Sequence, residues 1–199
     1  IDTARNATFN DTVTIGQSLY SGGYDPGQTG VSGVLEFKKA LTVGQYLTVK
    51  RATGGTVFND TVSVYSGSFS NTSATFADAS KTYTFTNGAS FDSTVGSVTL
   101  SGTLVSTNTL IALADNAAGA ITYLGGNATI NAGTGAILIR KVVASPSLQT
   151  PASLTIQARQ TNVYGDEITA GNGLDISGSL LVYNDLTLNS GSGGITLGG

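Results

Sequence analysis

The chain has no cysteine, histidine, methionine or tryptophan, and each gap removes a class of chemistry. Without cysteine there is no disulfide and no thiolate metal ligand. Without histidine the commonest general base, the commonest zinc ligand and the switch that titrates near neutral pH are all missing. The lack of cysteine does not by itself place the chain in the cytosol, because heat-adapted proteins avoid it too. Charge is also scarce: 11% of the 199 residues are charged, against about a quarter in an ordinary globular domain. The net charge of −3 and pI near 4.6 argue against a nucleic-acid partner held by phosphate neutralisation. Basic residues cluster only as Lys38-Lys39, Lys50-Arg51 and Arg140-Lys141, which read as solvated pairs at strand ends. No apolar run approaches the ~20 residues of a spanning helix. The opening at Ile1, with no charged or apolar leader, reads as a processed or excised segment.

Thr, Ser, Asn and 27 Gly stand where the charges are missing. β-branched Thr suits a pleated surface, and Gly and Asn supply corners. Repeats carry the organisation. ATINAGTGAILI (Ala128–Ile139) returns as LTLNSGSGGITL (Leu186–Leu197), and both are two alternating strands around a Gly-rich corner. FNDTVTI (Phe9–Ile15) returns as FNDTVSV (Phe58–Val64), with looser relatives at Tyr183–Asn189 and Phe91–Leu100. A unit that cannot close a core alone, repeated along the chain, marks a stacked β architecture. The interval between the first two copies, about 58 residues, divides into three coils of about 19 or 20 residues. Eight to ten such coils make a rod of about 40–50 Å.

Period-two alternation predicts strands at Thr12–Ile15, Val34–Phe37, Tyr46–Lys50, Thr61–Tyr65, Tyr83–Thr86, Ser97–Leu100, Thr103–Val105 and Thr109–Leu113. It predicts further strands at Ile121–Leu124, Ala128–Asn131, Ala136–Arg140, Ser153–Ala158, Gly173–Ile176, Ser179–Val182, Leu186–Asn189 and Ile195–Leu197. ATGG at Ala52–Gly55 reads as a turn. Ile111–Ala120 is the best helix candidate, but Asp115-Asn116 and Gly119 within it read better as a corner. The expected class is therefore all-β, a parallel β-helix (β-solenoid), with a β-sandwich pilin-like subunit as the alternative. Two parts are expected: residues 1–110 as a β-rich portion, either a wide-coil solenoid or a small sandwich, and residues 111–199 as solenoid repeats.

The stretch GNGLDISGSLLVYNDLTLNSGSGGITLGG (Gly171–Gly199) resembles the repeats of filamentous-haemagglutinin and autotransporter-type surface adhesins. The resemblance covers the C-terminal part only, while residues 1–110 match those repeats poorly. It implies a right-handed parallel β-helix, an extracellular or cell-surface location, and a rod within a larger polypeptide. The pattern stops at Gly198-Gly199 without a polar capping coil, as a segment of something longer would.

Only carboxylates remain as candidate catalytic groups, and the twelve are scattered. Asp166-Glu167 is the one adjacent pair, and neighbours in an extended chain face opposite ways, so they do not form a glycosidase couple. Asn-Asp corners at Asn10-Asp11, Asn59-Asp60 and Asn184-Asp185 offer oxygen ligands for calcium, but turn chemistry explains them without a metal. Five glycosylation patterns occur, at Asn6, Asn10, Asn59, Asn71 and Asn127, and Asn10 and Asn59 share one place in the repeat. An isopeptide cross-link would call on Lys50 or Lys81, with few glutamates to assist. Thr-x-Thr within Lys81–Gly88 resembles ice-binding ladders, yet no regular array over many coils is visible in the sequence, and the reading is set aside.

The expected function is structural and non-enzymatic: an extracellular segment of a surface fibre or adhesin, with no cofactor, no nucleic-acid partner and no membrane span. Its partners are like subunits or adjoining segments of the same fibre, and host or matrix glycans. One alternative is a pilus-like subunit that donates the strand Ala7–Ile15 to its neighbour. Another is a polysaccharide-binding or -cleaving β-helix with Tyr20, Tyr24 and Asp25 on one loop.

Overall fold

A computed structural model describes residues 1, 5–22, 30–92, 96–113, 120–147 and 150–199. The chain winds as successive coils, each laying strands on three faces. The early strands are β1 (Ala7–Phe9), β2 (Val13–Ile15), β3 (Leu19–Ser21), β4 (Leu35–Phe37), β5 (Leu41–Val49), β6 (Ala52–Phe58) and β7 (Val62–Phe69). Next come β8 (Thr72–Phe76), β9 (Thr82–Phe85), β10 (Ala89–Phe91), β11 (Ser97–Val105), β12 (Ile111–Leu113), β13 (Ile121–Asn131) and β14 (Ala136–Ile139). The last are β15 (Lys141–Ala144), β16 (Leu154–Val163), β17 (Glu167–Thr169), β18 (Leu174–Val182), β19 (Thr187–Asn189) and β20 (Ile195–Leu197). There is no helix among the described residues.

Every pairing between these strands is parallel, and each joins one coil to the next. The first face runs through β1, β4, β6, β8, β11, β13, β15, β17 and β19. The second runs through β2, β5, β7, β9, β11, β13, β16, β18 and β20. The third runs through β3, β5, β7, β10, β12, β14, β16 and β18. Long strands such as β5 and β16 turn a corner and serve two faces, with a register shift marking the bend. The protein is a parallel β-solenoid, and the described strands of residues 1–110 are rungs of the same three ladders as those that follow.

Alternation places one set of side chains inside each coil. On the second face the inward row reads Val13, Leu41, Val62, Tyr83, Leu104, Ile130, Ile156, Ile176 and Leu197. On the first face it begins with a phenylalanine column. Phe9 stacks on Phe37 at 5.0 Å, Phe37 on Phe58 at 5.6 Å, and Phe58 on Phe76 at 5.3 Å, with ring planes within 17° of parallel. Phe69 and Phe91 form a second stack on the third face at 4.6 Å. Offset aromatic pairs add about 0.5–1.5 kcal/mol beyond the area they bury. The Tyr83 ring fills the same core with no exposed surface. Its hydroxyl accepts the Asp78 N–H at 3.0 Å and donates to the Asp78 carbonyl at 3.2 Å, closing the corner outside β8. Burial pushes that phenol above its ordinary value.

Coil length departs from expectation. Side-chain bonds between equivalent places on neighbouring coils span 28 residues from Asn6 to Val34, 26 from Asn127 to Ser153 and 20 from Tyr164 to Asn184. Register shifts within β6 and β13 take up part of the variation. The longer repeat is accordingly not three equal coils. Its first copy joins β13 on the second face to β14 on the third, and its second joins β19 on the first face to β20 on the second. What repeats is a corner. In both copies an Asn side chain accepts a backbone N–H two residues on, Gly133 to Asn131 at 2.8 Å and Gly191 to Asn189 at 2.9 Å. Both glycines hold the left-handed conformation, φ 55° and 59°, that disfavours other residues. FNDTV is different: Phe9, Phe37 and Phe58 share one row, so its two copies lie two true coils apart.

Two readings need correction. Ala52–Gly55 is not a turn but the start of β6, where Ala52 pairs with Thr72 and the register then shifts. Ile111–Leu113 is a strand, within the predicted Thr109–Leu113, and the corner expected at Asp115-Asn116 and Gly119 lies outside the described residues. The Thr-x-Thr array that looked absent is present on the second face. Its outward rows carry Thr82, Thr103, Thr129 and Thr155 on successive coils, and beside them Thr14, Thr42, Ser63 and Thr84. Uneven coil lengths hid it.

Two substitutions test this core. Phe58→Ala, at the middle of the column, is expected to cost about 3–5 kcal/mol, read by urea denaturation. Thr161 is wholly buried in the third-face row and its hydroxyl has no hydrogen-bond partner. Thr161→Val keeps the shape and removes that desolvated group, so it is expected to raise stability by about 1 kcal/mol in the same assay.

Candidate functional site

The corners between the third and first faces border a cleft on the described surface. One of them is minimal: β14 ends at Ile139, β15 begins at Lys141, and Arg140 alone makes the turn. The next corner, Tyr164–Asp166, and the one after, from Tyr183, are longer. The short corner leaves a cleft of about 490 Å³ lined by Ala120, Ile121, Arg140, Lys141, Tyr164, Gly165, Asp166 and Asn184. Gly165 is required here, since a Cβ at that position would collide with the Arg140 carbonyl.

Contacts between coils hold the walls. The Tyr164 and Tyr183 rings stack at 4.3 Å and 10°. The Asn184 amide donates to the Tyr164 carbonyl at 2.6 Å, and the Thr187 N–H donates to the Asp166 carbonyl at 2.8 Å. The Lys141 ammonium lies 2.7 Å from Glu167 and 4.0 Å from Asp166. Asp166 and Glu167 therefore do not diverge as an extended pair would. Asp166 sits in the corner ahead of β17, which turns its carboxylate toward the same lysine. Lys141, expected as a solvated member of a doublet, is engaged in this ion pair. Hydrogen bonds from Lys141 and then Thr169 hold the Glu167 carboxyl below its ordinary 4.5, and the same contact lifts Lys141 above its ordinary 10.5.

A second charged group lies at a corner between the first and second faces. Lys81 meets Asp60 at 2.9 Å. The Lys81 hydrogen bond, followed by the Thr61 N–H, holds Asp60 below its ordinary value, and the Ser80 N–H and hydroxyl do the same for Asp78. Lys81 is a third exposed, so it lacks the burial an isopeptide donor needs, and Lys50 is exposed as well.

The glycosylation candidates are all at corners, where several work as clamps between coils. Asn6 accepts the Val34 N–H at 2.9 Å. Asn127 accepts the Ser153 N–H at 3.0 Å and the Ser153 hydroxyl at 3.2 Å. Asn10 and Asn59 occupy equivalent corners two coils apart, as their shared motif predicts, but Asn10 is exposed and Asn59 half-buried. The Asn59 amide nitrogen, the atom a sugar would join, donates to Glu36 at 2.9 Å. Asn71 is exposed and holds φ 49°. Of the expected Tyr20, Tyr24 and Asp25 loop, Tyr20 is exposed on β3, and Tyr24 and Asp25 lie outside the described residues. Among the described residues no three Asp or Glu side chains come together as a metal group, and the Asn59-Asp60 corner spends its carboxylate on Lys81.

The Tyr164–Asp166 corner was not singled out from the sequence. Tyr164 and Tyr183 are distant along the chain, and only a known coil length reveals them as stacking neighbours. No family model, curated protein or solved structure matches the chain.

The Lys141–Glu167 pair has a defined pH signature. Glu167 titrates below its unfolded value, so the stabilisation is complete above the ordinary carboxylate range and fades as pH falls through the folded value. On the alkaline side Lys141 keeps its charge until above its ordinary 10.5. Glu167→Gln is expected to lower the melting temperature at neutral pH by no more than about 4 °C, the pair being solvent-screened. The difference should shrink as pH falls and vanish once it is below the folded value, where the carboxyl is protonated in both folded and unfolded chains. Asn127→Ala, which orphans the Ser153 N–H, is expected to cost about 1 kcal/mol in chemical denaturation.

Proposed function

We propose that this chain is an extracellular structural element, a β-rich segment of a surface fibre or large adhesin, and that it works mechanically rather than catalytically. One observation carries the reading: the ladders, ring stacks and asparagine clamps all join a coil to the next one along the same axis. Load applied along that axis is shared by parallel strands on three faces. The segment proposed for donation, Ala7–Ile15, is already paired with β4 and β5 of its own chain, which favours the rod over strand exchange.

A second reading, polysaccharide binding at the surface, is favoured by the cleft at Arg140, which sets a stacked tyrosine pair beside Asp166 and Asn184. Aromatic faces and flanking acceptors suit a pyranose ring.

Pulling single molecules by their ends distinguishes a mechanical rod. Coils of 20 to 28 residues should be released one or a few at a time, each adding about 70–100 Å of contour length. A single all-or-none rupture at low force would count against the structural reading. Titration with soluble surface polysaccharides, with and without Tyr164→Ala, checks the second.

A further inference from the structure

The outer surface of the second face has a use that the rod reading does not absorb. We propose that this face binds ice, through an ordered layer of water held by its threonines.

The densest patch is Thr42, Thr61, Ser63, Thr82, Thr84 and Thr103, on four consecutive coils between β5 and β11. Ladder pairing spaces these residues by about 4.8 Å from coil to coil, and two residues along a strand add about 6.7 Å. The result is a near-rectangular grid of hydroxyls and methyls, close in both repeats to the oxygen spacings on a prism face of ordinary ice. Thr129 and Thr155 extend one row, and Thr14 extends the other. The rows have gaps: Ala40 precedes Thr61, Val105 follows Thr84, and Asp175 follows Thr155.

Three features separate this array from ordinary strand composition. Its hydroxyls are uncommitted: among the described residues none of the six side chains bonds to another protein atom, whereas Thr53, Thr56, Thr72 and Thr169 do. The six positions are uncharged, and the nearest ion pair, Lys81 with Asp60, sits at the corner beside them. Their backbone and rotamers are also fixed, by a parallel ladder on both sides and, for the threonines, by β-branching. Water held by such a grid loses little further freedom when it joins a crystal, and many weak sites acting together give lasting attachment.

The test measures thermal hysteresis and inhibition of ice recrystallisation by the 199-residue chain. The wild-type chain is expected to be active and to shape growing crystals. The double variant Thr82→Tyr with Thr103→Tyr, which breaks the grid at its centre, is expected to lose that activity. Ser90→Tyr, on the outer row of the third face, is expected to keep it. If circular dichroism shows the double variant unfolded, Thr103→Lys takes its place. A folded wild-type chain without hysteresis overturns the proposal. So does a grid variant as active as wild type, or a wild-type dimer that the tyrosines dissociate, since the face would then be covered by a second copy. None of these results bears on whether the rod carries load.

Discussion

Everything in this protein depends on the backbone ladder between one coil and the next. A single coil has three short strands and no partner of its own for their N–H and C=O groups. Stacked, it donates to and accepts from the coils on both sides, as Lys38 and Leu41 donate in opposite directions to Phe9 and Thr61, so the polar cost of burying an interior strand is met entirely by its neighbours. The inward rows follow from the same ladder. Because register is held in parallel from coil to coil, a side chain that is inward at Leu41 forces Val62, Tyr83 and Leu104 inward too, and like residues meet like in columns.

That constraint explains why the surface can be so poor in charge. Specificity of pairing comes from register and from apolar columns, so ion pairs are left to the corners. Lys141 with Glu167 and Lys81 with Asp60 both join one coil to its neighbour. The asparagines do the same work without charge, as Asn6 does for Val34 and Asn127 for Ser153. A corner asparagine is well suited to this role because its short amide reaches a backbone N–H while tolerating tight turns.

The strands were legible in the sequence wherever alternation was clean, as at Thr103–Val105 or Ala128–Asn131, and so was the solenoid class. Lys141–Ala144, Glu167–Thr169 and Leu19–Ser21 were not seen as strands. They are short, and their strand character comes from the coils that flank them rather than from composition. Ala52–Gly55 misled because a Gly-Gly pair signals a turn locally, while here it marks a bulge in a ladder already fixed on both sides. The site fared worst. The stacking of Tyr164 on Tyr183 and the threonine grid both depend on which residues share a row, and rows become visible only once each coil's length is known.

The Asn-x-Gly corner occurs at two different vertices of the coil, once between the second and third faces and once between the first and second. A cassette indifferent to its vertex lets a strand-plus-corner piece be gained or lost without a whole coil going with it. The rod can then shift its surface features by a third of a turn about its axis and keep its core intact. Lineages built this way would diversify by rotation of their decorations, and comparing them coil by coil would miss the kinship that comparing them corner by corner reveals.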